Sequence, residues 1–178
     1  AFILEHADAK LVFVGKLDEW DSIKGGVPEE LPRIAFSLAP ANDYQKWDDI
    51  IAEQAAIEGT PQRAADDLGI IIYTSGSTGK PKGAMLTWRN ISVAAASAID
   101  ANHFNSADSC VSYLPLCHVA EQLITVTTGI GAGIQVNFGE SLRTIQSDLR
   151  EIAPTTFLAV PRIWEKMHST VRVKLEEA

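Results

Sequence analysis

The chain has 178 residues, 46% of them hydrophobic, enough to bury one sizeable core, and its composition is that of a globular domain rather than a disordered chain. Charged residues make up 21% and the formal net charge is −8, which excludes the broad basic footprint of a nucleic-acid binder. Cys110 and Cys117 sit in no CxxC or zinc-type spacing, so neither a disulfide framework nor a structural metal is indicated and a reducing compartment is the default.

In chain order, residues 2–9 read as a helix without a start signal and Leu11 to Val14 as an apolar strand closed by Gly15, the rhythm of an α/β unit. Trp20 to Ile23 suggests a short helix, Gly25, Gly26 and Pro28 a turn, and Ile34 to Leu38 the next strand, broken by Pro40. Trp47, Ile50, Ile51 and Ala55 recur at helical spacing, which predicts a helix over Tyr44 to Glu58 with its aromatics in the core. Thr60 to Asp67 is an ordinary connection, and Gly69 to Tyr73 reads as a strand buried on both faces. Gly83 to Leu86 forms a return strand, with Thr87 capping a helix over Asn90 to Ala101. Ser109 to Leu114 is a strand ended by Pro115, followed by a helix over Val119 to Ile130. The cluster Gly129, Gly131 and Gly133 is read as a structural turn, because a dinucleotide fingerprint needs its third glycine at position 134, which is Ile134. Ile134 to Phe138 and Thr156 to Val160 read as strands. Leu142, Ile145, Leu149 and Ile152 line one helix stopped by Pro154, and Pro161 opens a terminal helix that lacks a stop signal. The alternation predicts an α/β fold with parallel or mixed sheets covered by helices. No run approaches the ~18 apolar residues of a membrane span, and both ends read as cut, the chain starting at Ala1 and not Met.

The most informative stretch is Tyr73 to Asn90, YTSGSTGKPKGAMLTWRN. Gly76 and Gly79 permit φ > 0 and let backbone N–H groups approach an anion; Thr74, Ser75, Ser77 and Thr78 add hydroxyls; Lys80 and Lys82 add charge. A Walker A loop is excluded by spacing, since only Ser77 and Thr78 separate Gly76 from Gly79-Lys80 and Pro81 follows. Because the loop runs from strand to strand, anion binding must come from backbone N–H groups and lysines more than from a helix dipole. The plain alternative is a surface hairpin loop. Tyr113 to Gln122, YLPLCHVAEQ, places His118 between a strand end and a helix start, where ligands of open α/β sheets sit. A thiol mechanism from Cys117 beside His118 is disfavoured, because sequence neighbours on an extended segment face apart, and Cys117 is read as packed.

YTSGSTGKPKGAMLTWRN resembles the signature phosphate loop of the AMP-forming adenylating enzymes, the superfamily of acyl-CoA synthetases, luciferases and peptide-synthetase adenylation domains, with Trp88 where the family usually has His. LPLCHVAE is similar to a second signature of the acyl-CoA synthetases, and Pro154 to Lys166, PTTFLAVPRIWEK, to a stretch of the long-chain branch, in which Arg162 and Trp164 tie strand to helix. The resemblance implies that residues 1–178 are part of the N-terminal adenylation domain, without the C-terminal lid, of an ATP-dependent fatty acid:CoA ligase. Such an enzyme forms an acyl-adenylate, releases AMP and pyrophosphate, and uses Mg²⁺ and coenzyme A. By resemblance Thr74, Ser75, Gly76, Ser77, Thr78, Gly79, Lys80 and Lys82 hold the polyphosphate, Thr74 is the Mg²⁺ ligand, Lys80 and His118 serve the chemistry, and His118 and Glu121 border the carboxylate, Glu121 with a bracing role as its alternative. The partners implied are fatty acid, ATP and CoA, with no nucleic acid, in a cytoplasmic setting that leaves room for peripheral membrane association. An adenylation domain for another carboxylate, of the peptide-synthetase type, and an inactive nucleotide-binding fragment are the alternatives.

Overall fold

The computed structural model describes residues 2–17, 19–75 and 79–176. They form two compact units, Ala1–Arg63 with Tyr73–Gly83, and Ala64–Ile72 with Ala84–Ala178.

In the first unit, helix α1 (Phe2–His6) leads to strand β1 (Val12–Val14), helix α2 (Trp20–Ile23) runs into a 3₁₀ turn at Lys24–Gly26, and strands β2 (Arg33–Ala35) and β3 (Gln45–Lys46) precede helix α3 (Trp47–Glu53). β1, β2 and β3 make a parallel sheet with Val12 opposite Arg33, Val14 opposite Ala35, and Ile34 opposite Gln45. Val14, Trp20, Leu31 and Ala35 are buried here, and the Phe13, Phe36 and Trp47 rings meet with centroids 5.5 to 5.9 Å apart. The Arg33 guanidinium donates to the carbonyls of Val27, Pro28, Glu29 and Leu31 and lies 5.6 Å from the Tyr44 ring centroid, so one side chain satisfies a turn that has no ladder of its own.

α3 is shorter than its apolar spacing predicts. Residues 45–46 are taken by the sheet at one end, and at the other Gln54 is extended and Ile57 is exposed.

Strands β4 (Leu68–Thr74) and β5 (Lys82–Thr87) pair as a hairpin, its tip grouped with the first unit and its base with the second. The expectation of a strand buried on both faces is corrected: only Ile72 of β4 is buried and Leu68 is exposed, because among the described residues β4 pairs with β5 alone.

In the second unit, helix α4 (Trp88–Asn102) opens on a capping box: the Asn90 N–H donates to Thr87 Oγ1 (3.2 Å) and the Thr87 N–H to Asn90 Oδ1 (3.0 Å). Asp66 and Arg89 form a bidentate pair at 2.9 and 3.2 Å beside it. Gly69 is where α4 meets β4: a Cβ there would lie 2.8 Å from Ile91 Cδ1 and 3.3 Å from the Trp88 ring. Strand β6 (Ser109–Ser112) pairs in parallel with β7 (Gln135–Phe138), Cys110 opposite Val136, and a helical crossover joins them. The crossover is three pieces in series, α5 (Val119–Glu121), a π-helix (Gln122–Thr128) and α6 (Gly129–Ala132). Only Gly133 of the glycine cluster adopts positive φ, +71°, as the helix C-cap; Gly129 and Gly131 are helical, which corrects the reading of the whole cluster as a turn.

Helix α7 (Ile145–Ile152) begins after a Ser141–Thr144 hydroxyl turn that leaves Leu142 exposed, and helix α8 (Pro161–Glu176) ends the described chain. The strand expected over Thr156 to Val160 does not form. Among the described residues its one backbone bond to β6 is Thr156 N–H to Ser109 O, and beside it the Thr155 hydroxyl donates to Asp108 and accepts the Ser109 N–H. Trp164 Nε1 donates to Ala159 O, Trp164 stands edge-on to Phe157, Phe157 packs on Tyr113, and the Tyr113 hydroxyl accepts from Val160 N–H. Among the described residues no helix is long and apolar enough to cross a membrane.

Candidate active site

The residues expected to hold the polyphosphate belong to the first unit and His118 to the second. Thr74, Ser75, Gly79, Lys80 and Lys82 are all exposed around the hairpin tip; Gly76, Ser77 and Thr78, also expected to hold the polyphosphate, lie outside the described residues. Gly79 has φ +91°, and no described residue lies within 4 Å of where a Cβ would stand. The backbone therefore requires the left-handed region there, which glycine enters without strain. Just before the tip, the Tyr73 hydroxyl lies 2.7 Å from His6 Nδ1, with the two rings edge to face at 5.8 Å, so α1 braces the strand end that delivers Thr74.

His118 is exposed at the N-cap of α5. Its Nδ1 accepts the Ala120 N–H at 3.2 Å, which in the neutral ring leaves the proton on Nε2. Protonation would turn Nδ1 into a donor and abolish this cap. The turn beneath is closed by His118 N–H to Pro115 O (2.8 Å), Glu121 N–H to His118 O (3.0 Å) and Gln122 Nε2 to Leu116 O.

Glu121 has a bracing environment. Its side chain is buried, with Oε2 accepting the Leu114 N–H at 3.1 Å and Oε1 accepting the Thr125 hydroxyl. Burial pushes the Cys110 thiol above its ordinary value, and the Glu121 charge adds to the rise. The Tyr113 phenol is likewise pushed up, chiefly by burial, with the Val160 N–H opposing and Glu121 adding. Cys110, fully packed and raised, is a poor nucleophile. Cys117 is exposed, correcting the expectation that it packs: residues 115–119 form an exposed turn after β6.

Trp88, the departure from the usual phosphate-loop pattern, lies against Gly69 at the start of α4, a packing position. Behind the turn, the base of the hairpin, α4 and the crossover enclose an apolar cleft of about 510 Å³, lined by Ile70, Leu86, Ile91, Ala94, Val119 and Leu123 among others. Gln122, Thr125 and the π-helix were not singled out from sequence; the one signal was the four-residue spacing of Glu121 and Thr125 on a helix.

A family model described as AMP-binding enzyme matches residues 1–178. The chain belongs to the AMP-binding enzyme family. It is 33% identical over 187 aligned residues to the long-chain-fatty-acid--CoA ligase ACSBG2 of Homo sapiens, covering 96% of this chain and 28% of that protein. It is 41% identical over 110 residues to the long-chain-fatty-acid--CoA ligase ACSBG1 of Rattus norvegicus, covering 58% of this chain and 15% of that one. Among solved structures, the inhibitor-bound N-terminal domain of FACL13 from Mycobacterium tuberculosis superposes with a TM-score of 0.70 at 27% identity, over 93% of this chain and 41% of that one. This member of the AMP-binding family thus spans little more than a quarter of the human relative's length.

Family membership allows the donor set to be tested against the expected Mg²⁺. Among the described residues no three His, Cys, Asp or Glu side chains converge on a metal position. The hydroxyl oxygen of Thr74 fits a Mg²⁺ that keeps most of its shell as water and nucleotide phosphate oxygens, the usual arrangement for that ion, and does not fit a protein-caged metal.

Proposed function

We propose that this chain is the phosphate-loop segment of an ATP-dependent, AMP-forming fatty acid:CoA ligase. The observation that carries the proposal is the hairpin tip, where Gly79 at φ +91° joins exposed Thr74, Ser75, Lys80 and Lys82. The long-chain ligases among the relatives support the fatty-acid reading. In the intact enzyme a fatty carboxylate attacks the α-phosphate of ATP and the Pα–O bond to pyrophosphate breaks; the coenzyme A thiol then gives up its proton and attacks the acyl carbon of the adenylate, the C–O bond to AMP breaks, and AMP leaves. Such chemistry depends on positioning and on offsetting the charge of the leaving phosphates. Lys80 and Lys82 supply positive charge to the departing pyrophosphate, and backbone N–H groups of the loop donate to the phosphate oxygens. Mg²⁺, held by Thr74 together with phosphate oxygens, would supply charge neutralisation. His118 donates through Nε2–H to the incoming carboxylate. The working site is that of a cytoplasmic enzyme, peripheral to a membrane where its lipid substrate is presented there.

Acid-dependent ATP–pyrophosphate exchange by the full-length protein tests this reading: exchange with palmitate supports it. Exchange with amino acids alone would assign the peptide-synthetase type, and exchange with no acid would leave a nucleotide-binding remnant.

The cleft beside Val119 is where we place the apolar part of the acid. Ala94→Phe, which fills it, is expected to lower turnover of palmitate more than that of octanoate; an equal loss on both acids would assign the cleft to packing against the rest of the protein.

A further inference from the structure

Both oxygens of Glu121 are engaged inside the protein. The residue is 4% exposed, and its two oxygens accept from the Leu114 N–H and the Thr125 hydroxyl. A buried carboxylate is tolerated only when it is bonded in this way. The two donors sit on opposite sides of the segment that carries His118. Leu114 lies just past the end of β6, and Thr125 lies in the π-helix of the crossover. The bonds therefore close a clamp around residues 114–121, within which Gln122 fastens Leu116 O and the Ala120 N–H fixes the His118 ring through Nδ1.

A second observation singles out the same helix. Seven residues in π geometry are unusual, and such segments concentrate at functional sites. Within it Thr128 is fully buried with no partner for its hydroxyl among the described residues. The π winding keeps both Thr125 and Thr128 turned to the interior.

We propose that Glu121 and Thr125 are positioning residues for His118: the Leu114–Glu121–Thr125 clamp holds the turn so that the Nε2–H of His118 is presented to the carboxylate, and Glu121 does not itself touch the acid. The clamp's role in turnover rests on the ligase reading above; its effect on the His118 ring does not.

The test uses the full-length protein with Thr125→Val, Thr125→Ser, Glu121→Gln and His118→Ala. Thr125→Val removes the hydroxyl at nearly constant shape, and is expected to raise the KM for the fatty acid about tenfold, the loss of one buried hydrogen bond, with the KM for ATP unchanged. Thr125→Ser restores the parent value. On a His118→Ala background Thr125→Val adds nothing further, since the clamp acts through the ring that is gone. Independently of activity, ¹⁵N spectra of the histidine side chains, of which the chain has four, should show His118 as the Nε2–H tautomer in the parent. In folded Thr125→Val and Glu121→Gln that signal should move toward a tautomer mixture. An unmoved His118 signal in both folded variants overturns the proposal, as does a KM effect that adds to that of His118→Ala. Parent spectra and variant shifts as expected, with no acid-dependent exchange in the parent, would instead leave the clamp standing and sink the ligase reading.

Discussion

Lys80→Ala in the intact enzyme is expected to slow ATP–pyrophosphate exchange about ten- to a hundredfold, because one charge-assisted contact to the leaving phosphates is worth about 1.5 to 3 kcal/mol. Lys80 is exposed at the hairpin tip, so the melting temperature should stay at the parent value. The neighbouring backbone gives a control of different physical origin. Gly79→Val places a branched side chain at φ +91°, where the cost is conformational strain, as no described residue lies within 4 Å of the added Cβ. Both variants should fail in adenylation while remaining folded. A folded Lys80→Ala enzyme that exchanges at the parent rate would show that the phosphates lie elsewhere.

Gly69→Val is expected to act through packing instead. Its Cβ would stand 2.8 Å from Ile91 Cδ1, 3.3 Å from the Trp88 ring and 3.4 Å from Leu86 O, and the last of these is backbone. Overpacking of this kind costs about 1 to 3 kcal/mol. The first two contacts belong to the start of α4, so the variant should melt lower and lose exchange together with stability. Gly69→Ala should show the same effect more weakly, and parent-like melting of Gly69→Val would mean that α4 does not rest on β4 as described. Trp88→His trims one of the clashing groups and should leave exchange close to the parent, as the ring packs on Gly69 and has no part in the proposed chemistry.

How far the chain could be read in advance depended on whether the signal was local. The α2 helix over Trp20–Ile23 and the Thr87 cap were legible because capping and short-range periodicity are properties of adjacent residues. The loop at Gly79 was legible because a left-handed backbone position demands glycine. Three features were hidden for a common reason: they are settled by distant partners. β3 exists only because Gln45 and Lys46 meet β2. Residues 156–160 have strand composition, yet contacts from Tyr113 and Trp164, distant in sequence or on the next helix, hold the segment. The π winding of Gln122–Thr128 has the same apolar spacing as an ordinary helix, so periodicity could not reveal it. The position of His118 between a strand end and a helix start was legible, whereas the buried clamp beneath it was not, since Glu121 in the first turn of a helix reads as a contact or as a brace.

The most direct test of the account is identification of the nucleotide product when the full-length protein is incubated with ATP, Mg²⁺, palmitate and coenzyme A. The account predicts AMP and pyrophosphate in step with palmitoyl-CoA, with Lys80→Ala suppressing all three together. Formation of ADP and phosphate would contradict it.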